Sequence, residues 1–152
     1  MFNRNQRDHK TILIHGSDRQ FVENLAQTIK KGPHPANFTV INVWTHEELN
    51  ETLESRIDID LLLIEIDFDF IDRINDTESP EMDAFKKIRD TQQKHTRIVV
   101  YTQSEDIVTI QHGDFAREIP MGDRFIKGHG EGHIPGREND FQRKIRDWLG
   151  AL

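Results

Sequence analysis

The sequence predicts an α/β domain built on a doubly wound, five-stranded parallel sheet. Three observations predict it: five short apolar segments of strand length, helical patterns between them, and connections long enough to return every strand in the same direction. The length of 152 residues is that of one domain. We assign residues 11–152 to the domain and residues 1–10, which are polar and aperiodic, to a flexible tail.

The first strand and helix are bounded by clear signals. Thr11–His15 is an apolar run of strand length that stops at a Gly-Ser pair. Ser17, followed three positions later by Gln20, predicts a capping box at the start of the helix. The helix carries apolar residues at helical spacing, and a Lys-Lys-Gly-Pro sequence predicts its end.

The second unit repeats this pattern and leads to the centre of the sheet. Residues 38–44 are β-branched and aromatic, as in a strand, and Thr45 with Glu48 predicts another capping box. Asp60–Ile66 is an almost continuous apolar run, which is typical of a strand covered on both faces.

The remaining elements complete the alternation. Ser79 and Pro80 predict the start of a third helix, residues 97–102 the fourth strand, and residues 124–127 a short fifth strand. A weakly periodic helix is expected within 104–117. The last helix carries apolar residues at i, i+4, i+7 and i+8: Phe141, Ile145, Trp148 and Leu149.

Composition excludes several classes of protein. Twenty Lys and Arg against 27 Asp and Glu give a net charge of −7, which disfavours direct binding to nucleic acid. The absence of cysteine excludes a thiolate nucleophile and a cysteine zinc site. The mean hydropathy of −0.70 disfavours a membrane protein, and the polar start predicts a cytoplasmic one. We expect no cofactor, and a monomer or weak homodimer.

Ligands of doubly wound sheets bind beyond the carboxyl ends of the strands, so function is sought there. The order and spacing of four segments, 60–65, 80–85, 98–102 and 125–128, resemble the receiver domain of response regulators. The resemblance implies a flavodoxin-like strand order of 2-1-3-4-5. It also implies that three residues stand at the phosphoacceptor, switch-hydroxyl and lysine positions of that family, respectively Glu65, Thr102 and Lys127.

The functional prediction depends on the positions at which this chain differs from the receiver pattern. The family has an acidic pair after the first strand to hold Mg²⁺, whereas this chain has Gly16 and Ser17 there, and Asp18 follows one place further on. Glu65 is one methylene longer than the aspartate it replaces, and Arg124 stands at the aromatic switch position. We therefore expect a pseudo-receiver with a degenerate pocket.

This interpretation predicts a regulatory domain and not an enzyme. The resemblance implies a role in two-component signalling or a phosphorelay, with a protein partner such as a histidine kinase or a downstream regulator. Glu65, Lys127 and Thr102 would form either a charge-assisted network that fixes an active-like state or an ordinary ion pair. Asp18 is the remaining acidic residue of the pocket.

Alternative interpretations rest on other acidic residues. Asp67 or Asp76 would be the phosphoacceptor of an atypical phosphorylatable receiver. Asp67 and Asp69 are also similar to the Asp-x-Asp pair with which toprim nucleases and topoisomerases bind Mg²⁺, although His15 stands where that pattern has glutamate. Three residues of a glycine-rich segment would suit a divalent metal, but a surface loop is the simpler interpretation: His129, Glu131 and His133.

Overall fold

The computed structural model describes residues 9–31, 37–55, 58–66, 80–91, 96–103, 111, 113–126 and 140–149. Within them lies a five-stranded sheet in which every neighbouring pair of strands is parallel. The strand order is β2-β1-β3-β4-β5, with helices against the sheet. The predicted α/β, flavodoxin-like topology is confirmed.

Strands and helices alternate along the chain. The strands are β1 His9–His15, β2 Asn37–Val43, β3 Leu61–Glu65, β4 Arg97–Thr102 and β5 Arg124–Ile126. The helices are α1 Arg19–Lys31, α2 His46–Glu54, α3 Pro80–Thr91, α4 Gly113–Glu118 and α5 Asp140–Leu149, with a 3-10 turn at Met121–Asp123. None of the helices in these ranges is long and apolar enough to cross a membrane.

Strand register aligns the carboxyl ends of the central strands. His15, the last residue of β1, lies opposite Val43 on one side and Ile64 on the other. Glu65 extends one residue beyond that pairing and lies opposite Tyr101 of β4. The segments that follow β1, β3 and β4 therefore leave the sheet at one edge.

Alternation along β3 divides the core into two layers. Leu62 and Ile64 are buried on the side of α2, α3 and α4, whereas Leu61 and Leu63 are buried on the side of α1 and α5. Each of these four side chains is at most 1% exposed. Burial on both faces explains why the sequence of β3 is continuously apolar instead of alternating.

Most predicted element boundaries hold. The Thr45 hydroxyl accepts a hydrogen bond from the Glu48 backbone N–H at 3.1 Å, which confirms the cap of α2. Helix α3 begins at Pro80, where the missing N–H costs nothing. The apolar face of α5 is buried through Phe141, Ile145 and Trp148.

Two boundaries differ from the prediction. β1 begins at His9, because His9 and Lys10 pair with Asn37 and Phe38 of β2, so these two residues belong to the sheet and not to the tail. In the weakly predicted region, α4 covers Gly113–Glu118, and 104–110 lie outside the described residues. Helix α4 has six residues and buries Phe115, which is too short a stretch to show a clear helical period.

Candidate functional site

The carboxyl edge is organised around the carboxylate of Glu65. Its Oε1 accepts a hydrogen bond from the Ser17 backbone N–H at 3.1 Å and another from the Ser17 hydroxyl at 3.0 Å. Glu65 is partly exposed at the end of β3, and Ser17 lies in the exposed turn after β1. Two donors from one residue thus tie the β1–α1 turn to the end of the central strand.

Ser17 is not the cap of α1, contrary to the prediction. The helix starts at Arg19, and the Asp18 carboxylate accepts a hydrogen bond from the Phe21 backbone N–H at 3.1 Å. The Asp18 carbonyl accepts another from Val22 at 3.0 Å. Asp18 is therefore the N-cap, a role in which its negative charge also favours the positive end of the helix dipole.

Gly16 is the residue that lets the turn lie close to the sheet. The Tyr101 hydroxyl donates a buried hydrogen bond of 2.7 Å to the His15 carbonyl. A Cβ on Gly16 would lie 2.3 Å from that hydroxyl oxygen and 2.8 Å from a methyl of Val22, so no side chain fits without displacing the tyrosine. The sequence places Gly16 at the end of a strand and at an acidic position of the receiver pattern, but no local pattern identifies Tyr101, the chain's single tyrosine, as its neighbour.

Two histidines lie side by side below this edge. The rings of His15 and His46 have centroids 4.5 Å apart and are tilted by 37°. His15 is 5% exposed, and the Nδ1 atoms of both rings lack a hydrogen-bond partner in the described part of the chain.

The environment of His15 keeps its imidazole neutral at pH 7. The pKa of His15 is lowered to about 4, first by burial and then by the nearby His46, whereas Glu65, Glu81 and Glu48 act in the opposite direction. Burial dominates because a charged imidazolium would lose its hydration there. The ring at the end of β1 is thus a neutral packing group.

Thr102 lies at the carboxyl end of β4, whereas Arg124 lies at the amino end of β5. Thr102 ends β4, is 1% exposed, and lies opposite Ile126 of β5. The Arg124 side chain points inward: its Nε and Nη2 donate to the Ile119 carbonyl at 3.1 and 2.7 Å, and its guanidinium lies 4.8 Å from the Phe115 ring centre.

Part of the predicted site lies at the carboxyl edge of the sheet. Glu65, Asp18 and Thr102 all lie at the carboxyl ends of strands, as expected from the sequence. The other predicted site residues lie outside the described ones: Lys127, Asp67, Asp76, His129, Glu131 and His133. Among the residues that are described, no three His, Asp or Glu side chains are grouped to hold a metal ion.

Neither a protein-family model nor a curated protein sequence matches the chain.

Proposed function

We propose that this chain is a receiver-like regulatory domain of the pseudo-receiver kind, which acts by protein–protein recognition without conventional aspartate phosphorylation. The proposal starts from the strand order 2-1-3-4-5 and from the residues at the strand ends, which resemble those of receivers in kind and order. Its protein partner is a histidine kinase or a downstream regulator of a two-component pathway, and its location is the cytoplasm.

The observation that carries the proposal is the pair of hydrogen bonds from Ser17 to Glu65. Glu65 stands at the position that the resemblance assigns to the phosphoacceptor. Its Oε1 atom accepts two donors from the β1–α1 turn, so attack by that oxygen on a phosphoryl donor would have to break both bonds. The carboxylate instead links the β1–α1 turn to the end of β3.

The role of Asp18 supports the same conclusion. A receiver needs acidic ligands after β1 for the magnesium ion that neutralises an incoming phosphoryl group. The Asp18 carboxylate in this position caps α1 through the Phe21 N–H, and Gly16 has no room for a side chain. The residues of this turn cap α1 and pack against Tyr101; they do not form a set of acidic metal ligands.

The position of Arg124 supports a fixed recognition surface. The resemblance assigns the aromatic switch to this residue, and partner binding to the surface that α4, β5 and α5 form. Arg124 is 6% exposed and bonded to the Ile119 carbonyl beyond the end of α4. Removal of this guanidinium from its two bonds would leave a buried carbonyl with fewer donors, which favours one conformation over a switch.

Treatment with acetyl phosphate and Mg²⁺, followed by intact-mass measurement, tests the phosphorylation half of the proposal. We expect no phosphoryl adduct on the wild-type chain, with a phosphorylatable receiver as the positive control. An adduct that disappears in Asp67→Asn or Asp76→Asn would contradict the proposal and favour the atypical receiver. Magnesium-dependent cleavage of nucleic acid that disappears in Asp67→Ala would favour the toprim interpretation instead.

Protein–protein recognition is tested in two steps. The partner is first captured from the source cells with the purified chain, and the affinity of the chain for that partner is then measured. Glu65→Gln keeps the shape of the side chain and an oxygen that can accept from Ser17, but it removes the negative charge. We expect it to weaken partner binding, whereas Glu54→Gln, on the exposed side of α2, leaves affinity unchanged. Equal affinity of wild type and Glu65→Gln would reduce Glu65 to an ordinary surface carboxylate.

A further inference from the structure

The amino edge of the sheet, opposite the candidate site, carries a cleft of about 510 Å³. It lies between the start of β4 and the carboxyl-terminal parts of α3, α4 and α5. Pockets that bind small molecules have volumes of roughly 300–1,000 Å³. The cleft is large enough for a ligand, and the proposed function makes no use of it.

The charge of the cleft differs from that of the whole chain. The chain carries a net charge of −7. Three arginines line the cleft, Arg89, Arg97 and Arg117, against two carboxylates, Glu118 and Asp123. Two of these arginines, Arg89 and Arg97, are paired with the two carboxylates, so the binding of an anion depends on the N–H donors that those ion pairs leave unused.

Arg97 is held in a fixed orientation by a buried carboxylate. Its Nη2 lies 2.8 Å from Asp123 Oδ1, and its Nε lies 3.2 and 3.3 Å from the two carboxylate oxygens. The Asp123 side chain is 8% exposed, whereas that of Arg97 is 44% exposed. One side of the guanidinium is thus anchored in the protein, and its Nη1 takes no part in the described bonds to Asp123.

Arg89 is anchored in a similar way. Its Nε donates to Glu118 at 3.3 Å and its Nη1 to the Thr96 carbonyl at 3.0 Å. Neither of these bonds uses Nη2, and the side chain is 27% exposed. Because a guanidinium has five N–H donors in one plane, both anchored arginines retain donors for a ligand. Anchoring also reduces the entropy lost when they bind one.

Apolar residues complete the lining. Trp148 of α5, Ile98 of β4 and Pro120 contribute to the same cleft. Trp148 is 7% exposed and packs edge-on to Phe141, with ring centres 6.2 Å apart. Ile98 is only 2% exposed, whereas Pro120 is exposed, so an apolar group of a ligand would contact Pro120 and the small accessible part of Trp148.

We propose that this cleft binds a small phosphate monoester with an apolar or aromatic substituent. A phosphate monoester carries a charge of about −1.5 to −2 near pH 7 and presents several acceptor oxygens. Guanidinium groups bind such oxygens through paired N–H donors. The two anchored arginines hold the phosphate, and the apolar lining contacts the substituent.

Titration of the ¹⁵N-labelled chain with phenyl phosphate, followed by NMR, tests the proposal. We expect saturable shifts of the Arg97 and Ile98 amides and of the Trp148 indole N–H. Benzyl alcohol, which lacks the charge, should produce none. Benzoate, with one negative charge and no phosphate, should bind more weakly than phenyl phosphate.

Matched variants assign any binding to the cleft. Arg97→Gln and Arg89→Gln should each raise the dissociation constant about tenfold or more. Arg143→Gln, on the exposed side of α5 and absent from the cleft lining, should leave it unchanged. The spectrum of each variant checks its fold, and Arg89→Gln provides the test if Arg97→Gln unfolds.

Three results would overturn the proposal. The first is the absence of saturable shifts with phenyl phosphate. The second is equal affinity in wild type and in folded Arg97→Gln or Arg89→Gln. The third is tighter binding of benzoate than of phenyl phosphate. Arginines that only offset the negative carboxyl ends of the helices would change thermal stability in the variants without any binding, and so give the first result.

Discussion

At the carboxyl edge of the sheet, Glu65 accepts two hydrogen bonds from the neutral donors of Ser17, whereas at the amino edge the Arg97 guanidinium holds Asp123. The first carboxylate is partly exposed and the second is buried. A buried carboxylate needs a charged partner because it has lost its hydration, and a partly exposed one does not. Because of this difference in burial, the amino edge depends on an ion pair, whereas the carboxyl edge depends on a closely packed turn.

The largest effect is expected at Gly16. Gly16→Ala would place a Cβ 2.3 Å from the Tyr101 hydroxyl oxygen and break the bond of that hydroxyl to the His15 carbonyl. Overpacking and a lost buried hydrogen bond together cost about 4 kcal/mol of unfolding free energy. Urea denaturation measures the loss.

Gly122→Ala is the matched control at the amino edge, since nothing lies within 4 Å of its Cβ position. We expect this control to change the unfolding free energy by no more than about 0.5 kcal/mol. Equal losses in the two variants would remove the packing difference between the edges.

The second effect is acid destabilisation through His15. The pKa of His15 is about 4 in the folded chain and 6.5 in the unfolded chain, so the unfolded state binds the proton first as the pH falls. His15 therefore costs no stability above pH 6.5. As the pH falls from 6.5 toward 4, protonation of His15 stabilises the unfolded state, so the free energy of unfolding decreases. The full difference is about 3 kcal/mol.

Denaturation of wild type and His15→Phe between pH 7 and pH 4 isolates this effect, because other titrations are common to both chains. We expect wild type to lose more stability than the variant. His46→Gln should reduce the loss, because His46 is the second cause of the lowered pKa. Parallel pH profiles for wild type and His15→Phe would show that His15 protonates freely in the fold.

The third effect separates the two partners of the amino-edge ion pair. Arg97→Gln leaves the Asp123 carboxylate buried without its cation, and we expect a loss of about 2 kcal/mol. Asp123→Asn leaves an arginine that is 44% exposed and can be hydrated, so its cost should be nearer to about 1 kcal/mol. Thermal denaturation compares them, and a larger loss in Asp123→Asn would reverse the role assigned to burial.

The smallest effect is expected for Ser17→Ala. The variant removes the hydroxyl donor to Glu65 but keeps the backbone N–H donor at 3.1 Å. The site is exposed, so we expect a loss of about 0.5 kcal/mol. Urea denaturation measures it, and a loss above that of Arg97→Gln would mean that the carboxyl edge depends more on its polar bonds than the amino edge does.

Much of the fold could be predicted because its signals are local. The continuous apolar run of β3, the Thr45–Glu48 cap and the proline at the start of α3 each report on a few neighbouring residues. The resemblance implied the strand order, and the observed order is the same.

The geometry of the site could not be predicted in the same way. Ser17 bonds Glu65 across 48 positions, and Tyr101 bonds His15 across 86, and no local pattern encodes such pairs. The prediction that Ser17 caps α1 was wrong for a related reason: serine and aspartate are equally good N-cap residues, so residue type does not distinguish Ser17 from Asp18. The long-range bond to Glu65 occupies the Ser17 side chain, and Asp18 caps the helix.

Beryllofluoride mimics a phosphoryl group on a receiver aspartate, so its titration with Mg²⁺ measures whether the carboxyl edge responds to phosphorylation. Amide NMR shifts of the wild-type chain are the readout. We expect no saturable shifts at Ser17, Glu65 and Thr102, because the Glu65 carboxylate accepts two hydrogen bonds from Ser17 and Asp18 caps α1. Saturable shifts at these residues, with changes extending to Phe125 in β5, would contradict this expectation.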